Sequence, residues 1–204
     1  IMQQEFVHLH LHSEYSLSDG IIRIEELIDK SCDLSFSSVA LTDLTNLFGL
    51  IKFYRLARKK GIKPIVGSEI QVAKDLDSQP GSLVMLVKNK IGYTNLTRLV
   101  SKAYVEGQVS GEPIVKFSWL EEYSEGLIAL SGGINGHIGQ SILGGNDALT
   151  NSRIDYFQNL FKEDFFIEIQ RLGKNNETEY NQKAIELAVQ KKIPLVATND
   201  VRFL

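Results

Sequence analysis

The segment Phe6-Val7-His8-Leu9-His10-Leu11-His12 carries three of the chain's four histidines. Side chains alternate between the faces of an extended strand, so His8, His10 and His12 share one face and Val7, Leu9 and Leu11 the other. Imidazoles held this way on rigid backbone are placed to ligate zinc, manganese or iron, which accept neutral ring nitrogens. A single histidine on such a face is more often a hydrogen-bonded residue of a polar interior. Three in register favour a metal site. Further polar and ionisable groups stand where other apolar runs end: Asp43, Glu69, Glu168 with Gln170, and Asn199 with Asp200. These are expected to meet the histidines at one mouth.

Other groupings have plainer readings. Arg55, Arg58, Lys59, Lys60 and Lys63 could contact DNA, but cations at the end of a helix oppose its dipole, and a solvated face is the expectation. Ser131-Gly132-Gly133-Ile134-Asn135-Gly136 could cradle a phosphate at a helix start; as a lone glycine-rich turn it is read as backbone geometry. Trp119, after Phe117, is expected in the core. Glu168 and Arg171 could form an ion pair or belong to the mouth, and spacing leaves both open.

The elements that must position these groups follow from apolar patterning. Strands are expected at residues 6–11, 38–42, 63–72, 83–87, 126–130, 165–169 and 194–197. Helical period is expected at 24–34, 47–60, 93–105, 154–161 and 177–190. Such alternation favours parallel strands joined by helical crossovers, in a closed barrel or an open doubly wound sheet. The polar strand ends and the seven runs favour an irregular barrel. Residues 75–82 and 109–113 read as loose loops. The final strand lacks a covering helix, from which we expect a piece cut from a longer polypeptide, and Ile1 ahead of Met2 reads as a cloning remnant.

Composition narrows the class. At 204 residues with 43% hydrophobic side chains the chain reads as one folded domain, residues 1–204, with material for a core. Lysine and arginine total 22 against 25 acids, a net charge of −3, which argues against gripping nucleic acid by charge alone. Cys32 is the single cysteine, so no intrachain disulfide framework exists. No apolar stretch is long enough to span a membrane and no secretory leader is visible, so a cytoplasmic setting is expected.

Ser13-Glu14-Tyr15-Ser16, Asp19-Gly20, Leu41-Thr42-Asp43-Leu44, Gly67-Ser68-Glu69 and Ala197-Thr198-Asn199-Asp200-Val201-Arg202 occur in order. So do Lys63-Pro64-Ile65-Val66-Gly67, Gly92-Tyr93-Thr94-Asn95-Leu96 and Ser131-Gly132-Gly133. With them the chain resembles, over essentially its whole length, the PHP (polymerase and histidinol phosphatase) domain at the N-terminus of bacterial DNA polymerase III alpha subunits. The resemblance implies an α/β fold, a distorted seven-stranded (βα)7 barrel. In intact members, His, Asp, Glu and sometimes Cys side chains at the barrel mouth hold divalent metals that hydrolyse phosphoesters. The matching positions kept here are His10, His12, Asp19, Glu69 and Asp200. Leu44 and Arg202 stand where active relatives carry histidine, Gly133 where many carry cysteine, and Leu172 where many carry histidine.

Leucine offers no donor atom and arginine is a permanent cation, so a cooperative multimetal centre is not expected to survive. The remaining positions should be empty or hold one weakly bound zinc, manganese or magnesium ion. Arg202 is expected to replace a missing cation by pairing with Asp200, Glu69 or Asp19. The resemblance implies a parent chain that is a DNA-directed DNA polymerase, a nucleotidyltransferase whose catalytic carboxylates lie outside this stretch. This domain would then brace the remainder of the alpha chain and dock the proofreading exonuclease subunit. It would meet DNA only through the full polymerase, and no membrane. The rival reading is a residual metal-dependent phosphoesterase, an exonuclease or pyrophosphatase, using His10, His12, Asp19, Glu69 and Asp200. A stand-alone histidinol-phosphatase-like enzyme is disfavoured by the missing ligands.

Overall fold

The computed structural model describes residues 6–16 and 20–203. Its strands are β1 (Ser38–Leu41), β2 (Lys63–Ala73), β3 (Gly81–Val87), β4 (Gln108–Val109), β5 (Glu112–Lys116), β6 (Leu127–Leu130), β7 (Phe165–Gln170) and β8 (Leu195–Thr198). They form one eight-stranded mixed sheet in the order β4-β5-β2-β3-β6-β7-β8, with β1 also paired to β2. The helices are α1 (Ile24–Asp33), α2 (Leu50–Lys59), α3 (Lys90–Glu106), α4 (Phe117–Tyr123), α5 (His137–Leu143), α6 (Asp147–Phe161) and α7 (Glu177–Lys191).

Local sequence accounts for most of these. In α2, Leu50, Phe53 and Ala57 fall on one buried stripe, with Arg58 and Lys59 in the last turn against the dipole. The Asn89 side chain caps α3 by accepting from the Gly92 amide at 3.0 Å. Asn146 does the same for Leu149 at the start of α6, so that helix begins at Asp147, ahead of the expected residue 154.

The all-parallel expectation is corrected. β3 runs antiparallel to both β2 and β6, because residues 74–80 are too few for a helical crossover and suffice only for a hairpin. The loose stretch at 109–113 belongs to a second hairpin, β4–β5, turning at Ser110 and Gly111, both at positive φ. The expected first strand is not part of any ladder. Residues 8–12 instead bond irregularly on both flanks: the Ala40 amide donates to the His8 carbonyl at 2.9 Å, and the His12 amide to the Val201 carbonyl at 2.8 Å. Strand pairing therefore leaves the sheet open, with this segment between β1 and the residues after β8. A seven-stranded closed barrel is not what the ladders form.

The two faces of the sheet differ. Leu83 and Met85 join Leu96, Leu99, Trp119 and Phe157 in the larger core under α3 to α7. Val84 and Leu86 point the other way, with Ala40 and Leu130. On this second face each strand turns polar toward one end: Phe166 gives way to Glu168 and Gln170, Val196 to Thr198, and Val84 to Ser82. A separate core of Leu11, Ile24, Ile28, Val39 and Phe53 seats α1 and α2.

Candidate metal centre

β2 changes partner along one edge. β1 pairs with it from Lys63 to Val66 and β5 from Gln71 to Ala73. Glu69 lies in the gap, where its carbonyl accepts from the Thr45 amide at 2.7 Å and Leu44 bridges to it. Its backbone is thus fixed while its buried side chain enters the polar end of the sheet. Ser82 donates to Oε1 at 2.6 Å, and His10 Nε2 lies 2.9 Å from Oε2. His12 Nε2 lies 2.7 Å from that same oxygen but off the line of a hydrogen bond, and neither ring nitrogen of His12 has a hydrogen-bond partner.

His10 is enclosed by carboxylates. Its Nδ1 is 2.8 Å from Glu168 Oε1, opposite the contact with Glu69, and Asp200 Oδ1 is 3.7 Å from Nε2. Burial alone would lower its pKa, but Glu168 and Glu69 together hold it well above 6.5. With an acceptor at each nitrogen the ring is an imidazolium donating twice. Burial would raise Glu69; His10 and His12 instead hold it well below 4.5. Glu168 also receives the Thr198 hydroxyl and the Gln170 amide on Oε1, while Oε2 is buried without a partner.

Asp200 completes the group, and two protein cations reach it. Lys174 Nζ is 3.0 Å from Oδ2 and Arg202 Nε 3.0 Å from Oδ1. Burial would raise its pKa, yet His10, Lys174 and Arg202 keep it below 3.8. The expected pairing of Arg202 thus falls on Asp200.

The structure brings together His10, His12, Glu69, Glu168, Gln170 and Asp200. Asp19 lies outside the described residues. His8 does not join: four residues from His12 along extended backbone is about 13 Å, and its ring packs edge-on against Phe6 and Phe36. Asp43 is also corrected. Its carboxylate takes the Ser13 amide at 2.6 Å and the Ser13 and Ser16 hydroxyls at 2.8 Å, anchoring the turn after His12. Asn199 is exposed. The Leu172 amide donates to the Glu177 carboxylate ahead of α7. A Cβ at Gly133 would meet the Gln170 amide at 3.5 Å, so Gln170 fills the space beside that lost position. Trp119 is buried, with Lys102 and Lys116 over its ring. Sequence reasoning missed Ser82, Thr198 and Lys174; their part depends on register and loop path, which no local spacing encodes.

His10, His12 and Glu69 each offer one ligand atom, a ring nitrogen or a carboxylate oxygen, and the three lie within 4.8 Å of one another. One divalent ion would fit there on His12, whose ring nitrogens form no hydrogen bond, and Glu69, with His10 joining only on giving up the proton it donates to Glu69. A multi-ion centre does not fit: Asp200 is held by Lys174 and Arg202, Leu44 has no donor, and Gly133 has no side chain.

The family described as the PHP domain matches residues 8–172. DNA polymerase III subunit alpha of Escherichia coli is 44% identical over 203 residues, 99% of this chain and 18% of that protein. The Pseudomonas aeruginosa subunit is 43% identical over 204 residues, covering 100% of this chain and 17% of its own length. The Vibrio cholerae subunit is 40% identical over 201 residues, 98% of this chain and 17% of that protein. The chain thus spans under a fifth of these relatives. Among solved structures, a Bifidobacterium adolescentis protein assigned by prediction as a metal-dependent phosphoesterase superposes with TM-score 0.65 at 12% identity, covering 98% of this chain and 89% of that one. An amidohydrolase from Chromobacterium violaceum, with bound sulfate and no metal, gives 0.63 at 16% identity, covering 96% and 87%. At these identities the likeness shows the fold alone.

Proposed function

The chain belongs to the PHP domain family, and from that membership we propose that it is the N-terminal PHP domain of a replicative DNA polymerase III alpha subunit. The parent chain would be a cytoplasmic DNA-directed DNA polymerase acting in replication, with nucleotidyl transfer carried out elsewhere in its length. Here the domain braces the rest of the alpha chain and docks the proofreading exonuclease subunit. The hydrogen bonds on both flanks of residues 8–12 support reading the sheet as a distorted seven-stranded barrel, with β4 and β5 as a side hairpin. No helix among the described residues is long and apolar enough to cross a membrane.

One observation carries the loss of hydrolytic function: the cluster balances its own charge. The carboxylates Glu69, Glu168 and Asp200 face His10 as an imidazolium, Lys174 and Arg202. Buried carboxylates need compensating cations, and here side chains supply what metals would supply. Hydrolysis by a multi-ion centre needs ions at fixed spacing to generate hydroxide and hold the leaving oxygen, and Arg202 with Lys174 opposes a cation beside Asp200. The two unpartnered nitrogens of His12 favour a second reading, a residual one-ion phosphoesterase. His12, Glu69 and, once it has lost its Nε2 proton, His10 would hold that ion, which when bound would polarise a phosphoryl oxygen.

The test is metal analysis of chain purified without chelators, together with hydrolysis of p-nitrophenyl phosphate, pyrophosphate and a 3′-mismatched primer with added manganese or zinc. Less than one ion per chain and no turnover above the metal-free control are expected. Turnover abolished by His12→Ala would move the assignment to the phosphoesterase. Copurification with the exonuclease subunit tests docking.

A further inference from the structure

We propose that an apolar groove at the end of the sheet opposite the histidine cluster docks a peptide segment whose apolar side chains are flanked by carboxylates. The proposal rests on the docking reading above and gives such a partner a surface and a chemistry. At this end β2, β6, β7 and β8 begin, and the second face of the sheet is apolar. Leu9, Ile65, Ile128, Phe166 and Val196 line a cavity of about 510 Å³. It continues past Val66, Val87 and Asn89 into a cleft of about 440 Å³ between α2 and α3, walled by Ile51, Tyr54 and Tyr93. Those three are 66%, 48% and 41% exposed, so the cleft forms an open apolar surface of the kind that marks interaction sites.

Charge selects the occupant. Arg55, Lys63, Lys88 and Lys90 rim the groove and no carboxylate lines either half, although acids outnumber bases in the chain 25 to 22. Lys88 is paired with Asp164 at 2.8 Å. Arg55, Lys63 and Lys90 form no ion pair among the described residues. A cationic rim around an aliphatic floor favours carboxylates beside apolar anchors and repels a basic partner. A second copy joined through this face by a two-fold axis would bring like-charged rims together. Single-stranded nucleic acid would match the rim and could stack on Tyr54 and Tyr93 of the cleft, but the deeper cavity offers it Leu9, Ile65, Ile128 and Val196 with Phe166 as its one aromatic lining residue, which favours aliphatic anchors over bases.

The experiment pans a random peptide library displayed on phage against the immobilised chain. Enriched sequences carrying leucine, isoleucine or phenylalanine beside aspartate or glutamate are expected. Synthetic copies should bind at least tenfold more weakly to Ile51→Glu/Tyr93→Glu and to Lys63→Glu/Lys90→Glu, while Lys90→Arg retains binding. All four substituted positions are exposed, and unchanged melting temperatures check that the variants fold. No enrichment, enrichment without acids, or binding that survives both double variants would overturn the proposal. So would dimerisation of the chain, or single-stranded DNA binding, lost with Ile51→Glu/Tyr93→Glu. Exonuclease binding retained by both double variants would sink the groove while leaving the docking reading intact. If the unsubstituted chain selects acidic peptides yet fails to bind the exonuclease, the docking reading falls and the groove stands.

Discussion

His10 illustrates how far neighbours can override burial. An imidazole enclosed without partners would lose its proton; two carboxylates at its nitrogens keep it. Because its folded pKa lies above 6.5, its stabilising contribution is fully present below pH 6.5 and is lost as pH rises through the raised value. Glu69 and Asp200 are held below 4.5 and 3.8, so their contributions are present above those values and lost as pH falls through the depressed ones. Thermal stability of the metal-free chain should therefore be greatest between about pH 4.5 and 6.5, and His10→Gln should flatten the alkaline limb in calorimetry. Arg202→Ala removes a cation from a buried carboxylate while Lys174 remains, and Arg202 is 31% exposed. A loss of about 1 to 2 kcal/mol is expected, seen as a melting point lower by roughly 2 to 8 °C; an unchanged melting point would remove Arg202 from its role as replacement cation. Spacing and resemblance singled out His10, His12 and Glu69 as candidate ligands, and the structure places them together. Lys174 was not singled out, since it is one lysine among many until the path of its loop brings it to Asp200.

Helices with a full apolar stripe, such as α2 and α7, announce themselves, whereas α4 and α5 are too short for periodicity to stand out. Strand direction was misread because alternation of apolar runs says nothing about what joins them; the length of the 74–80 connection does. Close approach between elements is the other feature hidden from pattern reading. Gly92 sits in the first turn of α3 against the turn before β6, and a Cβ there would lie 1.8 Å from the Gly126 carbonyl oxygen. Gly92→Ala should therefore cost about 1 to 3 kcal/mol or more. Gly61, at φ +79, has open space within 4 Å of where a Cβ would sit, and Gly61→Ala should cost about 1 kcal/mol through backbone conformation alone. Urea denaturation of both variants separates the two effects; equal losses would contradict the steric assignment.

The histidine cluster ties together distant parts of the chain: His10 meets Glu168, 158 residues away, and Asp200 further still. Since its charges balance without an ion, chelation should move the melting temperature by less than about 1 °C, and zinc should raise it only by the mass action of weak binding. A large loss of stability on chelation would mean that a metal, not Lys174 and Arg202, holds the mouth together. What the sequence determined by itself is the chemistry each position can offer: Leu44 cannot donate to a metal, Gly133 has no side chain, and Arg202 cannot lose its charge. Those are properties of single residues. The tertiary structure alone decided which of these groups meet, that β3 reverses direction, that His8 and Asp43 stay out of the cluster, and that an apolar groove lies at the opposite end. Convergence depends on long-range register and on the path of each connection, and neither is encoded in the spacing of neighbouring residues.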